Sequence, residues 1–163
     1  MGKGEVVLME ISKKGLEFIE DFEGFYPTAY KCQAGIWTLG IGTTIKPNRE
    51  LIKQGDTCTR EQALIWLQFE ILDKCKFFDK VLNDLNLELK QNEYDALVSF
   101  FYNLGIGKCY VGTTMGNAIH SKDKFFISEA FLVYNKYTWH GIKRVSKGLD
   151  RRRRAERDLF LGV

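Results

Sequence analysis

The sequence predicts an α+β fold that is mainly helical, a small β-containing lobe joined by a long helix to a larger helical lobe. Residues 24–44, GFYPTAYKCQAGIWTLGIGTT, combine glycine, aromatic and β-branched residues without helical periodicity, so they read as short hairpin strands. Over 60–81 the apolar residues Leu64, Leu67, Ile71, Cys75 and Phe78 recur at helical spacing. At about 1.5 Å per residue that run spans roughly 33 Å, enough to connect two lobes. The rest of the chain repeats the helical pattern in shorter pieces, and 163 residues with 45% hydrophobic content suit one domain able to bury a core.

Taken in order, residues 1–15 hold one short apolar patch, Val6 to Met9, too short for a signal-peptide core or a membrane span. The chain is therefore expected to start in the cytoplasm, without stable membrane association. Ile11, Leu16, Ile19 and Phe22 approximate helical spacing behind Ser12, a plausible cap, and this helix is expected to join the larger lobe. Glu20, Asp21 and Glu23 gather at its C-terminal end, where the helix dipole disfavours negative charge; such a local breach often marks a site where function overrides stability. The small lobe covers about 24–58, ending in a polar loop. Thr59 and Gln62 form a capping-box pattern that opens the connecting helix at about 60–81. Helices follow at about 91–104, 113–120, 123–137 and 149–161, within a helical lobe of about 82–163. Tyr94, Leu97, Val98 and Phe101 make one apolar face, and Phe125, Phe126, Ala130, Phe131 and Tyr134 another.

Composition removes several functional classes. A net charge of +3 favours an anionic polymer such as cell wall without demanding nucleic acid. Arg151 to Arg154 could suggest a nucleic-acid patch, yet Arg152 with Glu156 and Arg154 with Asp158 are spaced for i,i+4 pairing, which predicts a solvated, salt-bridged final helix. Gly35, Gly40 and Gly42 fail as a dinucleotide fingerprint because the third glycine would fall at Ile45 and no helix follows. Cys32, Cys58, Cys75 and Cys109 are unevenly spaced, with only His120 and His140 as imidazoles, so no zinc site is expected. Free thiols are expected, three of them small core residues. No metal, no organic cofactor and no obligate partner is called for, and a monomer is expected.

The chemistry concentrates at Glu23, Cys32 and Thr38, where eight residues separate the first pair and five the second. A Glu beside a turn is more often a backbone acceptor than a catalyst. Here Phe22, Phe25 and Tyr26 surround it, and partial desolvation would raise its pKa and keep a proton available, the condition for a general acid. Lys31, next to Cys32, would favour the thiolate.

These residues resemble the phage-type lysozymes, or endolysins, whose signature is Glu, eight residues, Asp or Cys, five residues, Thr. The resemblance continues in FYNLG at 101–105 and in GLDRRRRAERDLFL at 148–161, and covers the chain from about Gly15 onward. It implies a lysozyme-like fold and a muramidase, a glycoside hydrolase that cleaves the β-1,4 bond between N-acetylmuramic acid and N-acetylglucosamine in the glycan strands of peptidoglycan, leading to host cell lysis. Glu23 would protonate the glycosidic oxygen, while Cys32 and Thr38 would position or activate water on the far face, with inversion. Tyr102 and Asn103 would contact substrate at the lobe junction. Thr43 stands where family members usually carry His. The resemblance also implies storage in the host bacterial cytoplasm until a separate membrane pore opens a route to the wall. Two other readings stay open: a wall-binding module that has lost turnover, suggested by Cys32 in place of a carboxylate, and a lytic transglycosylase, which needs the acid but no positioned water.

Overall fold

A computed structural model describes residues 9–163. The apolar patch beginning at Val6 lies, apart from Met9, outside the described residues. Among those described there are seven α-helices, one 3-10 turn and two small antiparallel sheets, the mainly helical α+β fold that the sequence predicts. No helix among them is long and apolar enough to cross a membrane. The described residues form two compact units, one of Ser12–Asp73 and one of Lys74–Val163 with residues 9–11.

The first unit opens with helix α1 (Lys13–Glu23), whose start is fixed by the Ser12 side chain accepting from the Gly15 amide at 3.0 Å. Its Leu16 and Ile19 are buried. Strands β1 (Tyr26–Lys31) and β2 (Trp37–Gly40) pair antiparallel, with Tyr30 opposite Thr38 and Lys31 opposite Trp37. Thr38, Leu39 and Gly40 are all buried. Gly40 has φ +66°, and a Cβ there would lie 2.9 Å from that of Ala63 on helix α2 (Arg60–Lys74), so β2 and α2 approach as only glycine allows. The capping box is present: the Gln62 side chain accepts from the Thr59 amide at 3.0 Å, and the Thr59 hydroxyl accepts from the Gln62 amide at 3.1 Å. One residue into α2, Arg60 donates to both carboxylate oxygens of Glu20 at 2.8 and 2.6 Å, so part of the negative charge at the end of α1 is countered by a guanidinium.

The long helix expected over 60–81 is divided. It stops at Lys74; Cys75 takes φ −93° and ψ 0°, and helix α3 (Lys76–Leu85) resumes beyond it, closing on Asn86 in the left-handed region. Leu67, Ile71, Cys75 and Phe78 are buried on both sides of the break. A single non-helical residue thus leaves the apolar repeat intact, which is why periodicity did not mark it.

In the second unit, helix α4 (Gln91–Leu104) lies at the centre, with an unbroken buried run from Glu93 to Phe101. The Tyr94 ring stacks on Phe78 at 5.7 Å and its hydroxyl donates to Asp79 at 2.8 Å, while Phe100 meets Phe131 edge-on at 5.4 Å. A 3-10 turn (Ile106–Cys109), helix α5 (Thr114–Ser121) and helix α6 (Lys124–Val133) follow. Ile127, Ala130 and Phe131 form the buried stripe of α6, and Phe125 and Phe126, expected in the core, fall on its exposed side. Helix α6 also stops short of the expected Tyr137. The alternating residues Lys136–Trp139 and Ile142–Val145 instead make strands β3 and β4 around His140–Gly141, both at positive φ, a two-residue hairpin whose local signal outweighs helical extension.

The final helix, α7 (Lys147–Leu161), corrects the expectation of a solvated basic face. Arg152, Arg153 and Glu156 are buried. The Glu156 carboxylate accepts from Arg152 at 3.1 Å, from Arg153 at 3.0 Å and from the Ser99 hydroxyl on α4 at 2.8 Å, so the acid of the expected Arg152 pair is shared by a second guanidinium inside the unit. Arg154 pairs with Asp150 at 2.8 Å, one turn earlier than the expected Asp158.

Candidate active site

Glu23, Cys32 and Thr38 all belong to the first unit. Glu23 is the last residue of α1 and half-buried. The chain leaves it through Gly24, whose amide donates to the Glu20 carbonyl at 2.7 Å and whose φ of +79° turns the backbone into β1. A Cβ at Gly24 would also press on the Tyr26 ring at 3.2 Å, so glycine suits this position twice over.

Cys32 follows β1 directly and starts the hairpin turn. Its carbonyl accepts from the Gly35 amide at 2.8 Å and its amide donates to the Ile36 carbonyl at 3.0 Å. The turn wraps backbone N–H groups around the sulfur: the amides of Ile36 and Ala34, and after them the Thr38 hydroxyl, favour the thiolate and hold the Cys32 pKa below the ordinary thiol value. Lys31 is not the cause the sequence suggested; its ammonium lies 5.3 Å from the Trp37 ring centroid. The other thiols behave oppositely. Burial pushes Cys58 up, and pushes Cys75 and Cys109 up to about 12, so of the four free cysteines only Cys32 has its pKa lowered.

Thr38 sits on β2 only 4% exposed, and its hydroxyl also donates to the Ile36 carbonyl at 3.2 Å. Tyr30, opposite Thr38 and two residues before Cys32, joins the group. Burial raises the pKa of its phenol first, and the negative charges of Tyr26, Cys32 and Glu23 raise it further, so one ring feels both the helix-end carboxylate and the hairpin thiol. Tyr26 and Tyr30 are in ring contact at 4.4 Å. Sequence reasoning passed over Tyr30; its place in the predicted strand, two residues before Cys32 in the motif, could have found it.

Tyr102 and Asn103 belong to the second unit, on the last turn of α4. Lys74 lies 5.0 Å from the Tyr102 ring centroid, and the exposed Asn103 side chain accepts from buried Arg153 at 3.0 Å. Among the described residues no group of three or more His, Cys, Asp or Glu is arranged to hold a metal ion.

Comparison with known proteins finds relatives along nearly the whole chain. The phage lysozyme family model matches residues 20–156. The endolysin of Acyrthosiphon pisum secondary endosymbiont phage 1 is 34% identical, the match covering 93% of this chain and 98% of that protein. The endolysin of Escherichia coli O157:H7 phage FAHEc1 superposes with a TM-score of 0.80 at 37% identity, covering 94% of each chain. The muramidase domain of SpmX from Asticaccaulis excentricus superposes at 0.78 and 29% identity, covering 94% of this chain and 99% of that one. With the family model spanning most of its length and relatives aligned nearly end to end, the chain has a lysozyme-like fold and belongs to the phage lysozyme family.

Proposed function

We propose that this lysozyme hydrolyses the β-1,4 bond between N-acetylmuramic acid and N-acetylglucosamine in bacterial peptidoglycan by an inverting route carried by Glu23, Cys32 and Thr38. Family membership supports the coarser statement, peptidoglycan hydrolysis in host cell lysis. The observation that carries the finer one is the hairpin turn, whose Ile36 and Ala34 amides lower the Cys32 pKa while the other three free thiols are raised, beside a Tyr30 phenol raised in part by the charges of both Cys32 and Glu23.

In this reading Glu23 protonates the leaving glycosidic oxygen. On the opposite face of the sugar, the Cys32 thiolate accepts a proton from water and the Thr38 hydroxyl orients that water for attack at the anomeric carbon. The proton lost by Glu23 goes to the departing sugar hydroxyl, the proton taken by Cys32 returns to solvent, and Glu23 takes a proton back from solvent before the next turnover. Tyr102 and Asn103 serve as glycan contacts. The Arg153 bond to the Asn103 carbonyl oxygen supports this, since it leaves the amide nitrogen as the group that can donate to a sugar.

Glu23→Gln tests the assignment. The amide keeps the shape and cannot act as an acid, so lysis of purified peptidoglycan should fall by at least about a hundredfold, in line with general acid catalysis, while thermal unfolding stays as in the parent. Lysis at the parent rate by a folded variant would remove Glu23 from the mechanism.

A further inference from the structure

The β3–β4 hairpin has no part in the chemistry above, and its surface is unusual. Its sheet has only these two strands, and all eight strand residues are exposed. The register sets Tyr137 opposite Arg144 and Trp139 opposite Ile142, so these four share one face; Lys136 opposite Val145 and Thr138 opposite Lys143 form the other. Trp139 is 48% exposed and Ile142 59%, with Tyr137 and Val145 similarly open. From Lys136 to Lys147 there are four cations, Lys136, Lys143, Arg144 and Lys147, and no Asp or Glu.

The ribbon is nevertheless held firmly at its base. The Ser146 amide donates to the Asn135 carbonyl at 2.9 Å, and the Asn135 side chain donates to Asp150 at 2.8 Å. Isolated two-stranded ribbons are marginal in water, so an ordered one that exposes two aromatic rings and two β-branched aliphatics needs a surface to rest on. Two surfaces fit an endolysin, glycan and lipid. A glycan platform offers an open ring face, with amides and carboxylates around it for sugar hydroxyls. Here the Arg144 guanidinium lies 5.0 Å over the Trp139 ring and the His140 ring contacts it at 4.5 Å. Across 136–145 there is no Asp, Glu, Asn or Gln. Lipid headgroups ask for what the ribbon has: Trp and Tyr for the interfacial zone, aliphatics below them, and several Lys and Arg without acids for phosphate.

We propose that the β3–β4 ribbon docks this protein reversibly on anionic phospholipid surfaces, by electrostatic contact and shallow insertion of Trp139 and Ile142. This attachment falls short of stable association and does not depend on the catalytic assignment. The test is co-sedimentation of the full chain with vesicles of phosphatidylcholine alone and of equimolar phosphatidylcholine and phosphatidylglycerol, at low and high salt. The expected result is binding only to the phosphatidylglycerol vesicles, reversed by salt. A Lys143→Ser, Arg144→Ser double variant should weaken it roughly tenfold or more. Trp139→Ala should weaken it severalfold, and Tyr137→Ser should act in the same direction. Thermal unfolding and release of sugar from soluble peptidoglycan fragments should match the parent in all three. Equal binding to both vesicle types, or parent-like binding by the double variant, would overturn the proposal. So would ribbon-dependent binding to lipid-free peptidoglycan sacculi in place of vesicles, or ribbon-dependent self-association of the protein.

Discussion

Cys32 occupies the position where a second carboxylate would be the stronger base, and its surroundings decide whether sulfur can replace it. A free thiol with a pKa of about 8.5 is only a few per cent ionised near neutrality. The amides of Ile36 and Ala34 and the Thr38 hydroxyl lower that value, so the folded protein holds more thiolate at pH 7 than a free cysteine would. In the proposed mechanism the ionised form is the base, so turnover should climb as pH rises through a titration lying below the ordinary thiol value. Cys32→Asp should remain active and lose that climb, its carboxylate being ionised throughout. Cys32→Ala should lose most activity at every pH. Alkylation should inactivate the parent and spare the Asp variant, and the pH profiles of all three, taken with their melting temperatures, check this. A stable, fully active, alkylation-insensitive Ala variant would make Cys32 a bystander.

Between elements, two close approaches, one inside each unit, give separate predictions. Gly40→Ala would force an L-residue into φ +66° and drive a methyl to 2.9 Å from Ala63, so it should destabilise by about 2 kcal/mol in urea titration. Glu156→Gln would leave Arg152 and Arg153 buried without their shared carboxylate and should cost about 3 kcal/mol. That loss would establish a buried ion cluster where the sequence suggested a solvated helix face; a change of a few tenths would mean that the arginines find other partners. Local signals in the chain told much of this architecture. The Ser12 cap, the Thr59–Gln62 box and the α4 helix stand where side-chain chemistry and periodicity put them. What could not be read depended on contacts far apart in the chain. Arg152 and Glu156 are spaced alike whether exposed or buried, and only Ser99 on α4 tells the two cases apart. Phe125 and Phe126 look like core residues until the start of α6 at Lys124 fixes which side turns inward. The candidate site was legible as a spacing, Glu23 to Cys32 to Thr38, while the amides around Cys32 and the coupling of Tyr30 required the turn itself.

At the scale of the whole molecule the question is which bond is broken and how water enters. A retaining glycosidase needs a carboxylate nucleophile about 5–5.5 Å from its acid. This chain offers Cys32 and Thr38 at the motif positions, and among the acids close in sequence to Glu23, Glu20 is held by Arg60. The proposed route, attack by water at Cys32 and Thr38, needs no such second carboxylate. The products distinguish the possibilities without mutation. Purified protein acting on peptidoglycan should release fragments ending in reducing N-acetylmuramic acid. The first-formed anomer, followed by NMR before mutarotation, should be inverted relative to the β-linked substrate, and exhaustive chelation should leave the rate unchanged because acid and positioned water suffice. A β-anomer formed first would show retention and point to a nucleophile. Anhydro sugars in place of reducing ends would show that the sugar's own hydroxyl attacks, making the enzyme a lytic transglycosylase and reducing Cys32 and Thr38 to structural parts of the turn. Bound protein with no soluble product would leave a wall-binding module that has lost turnover.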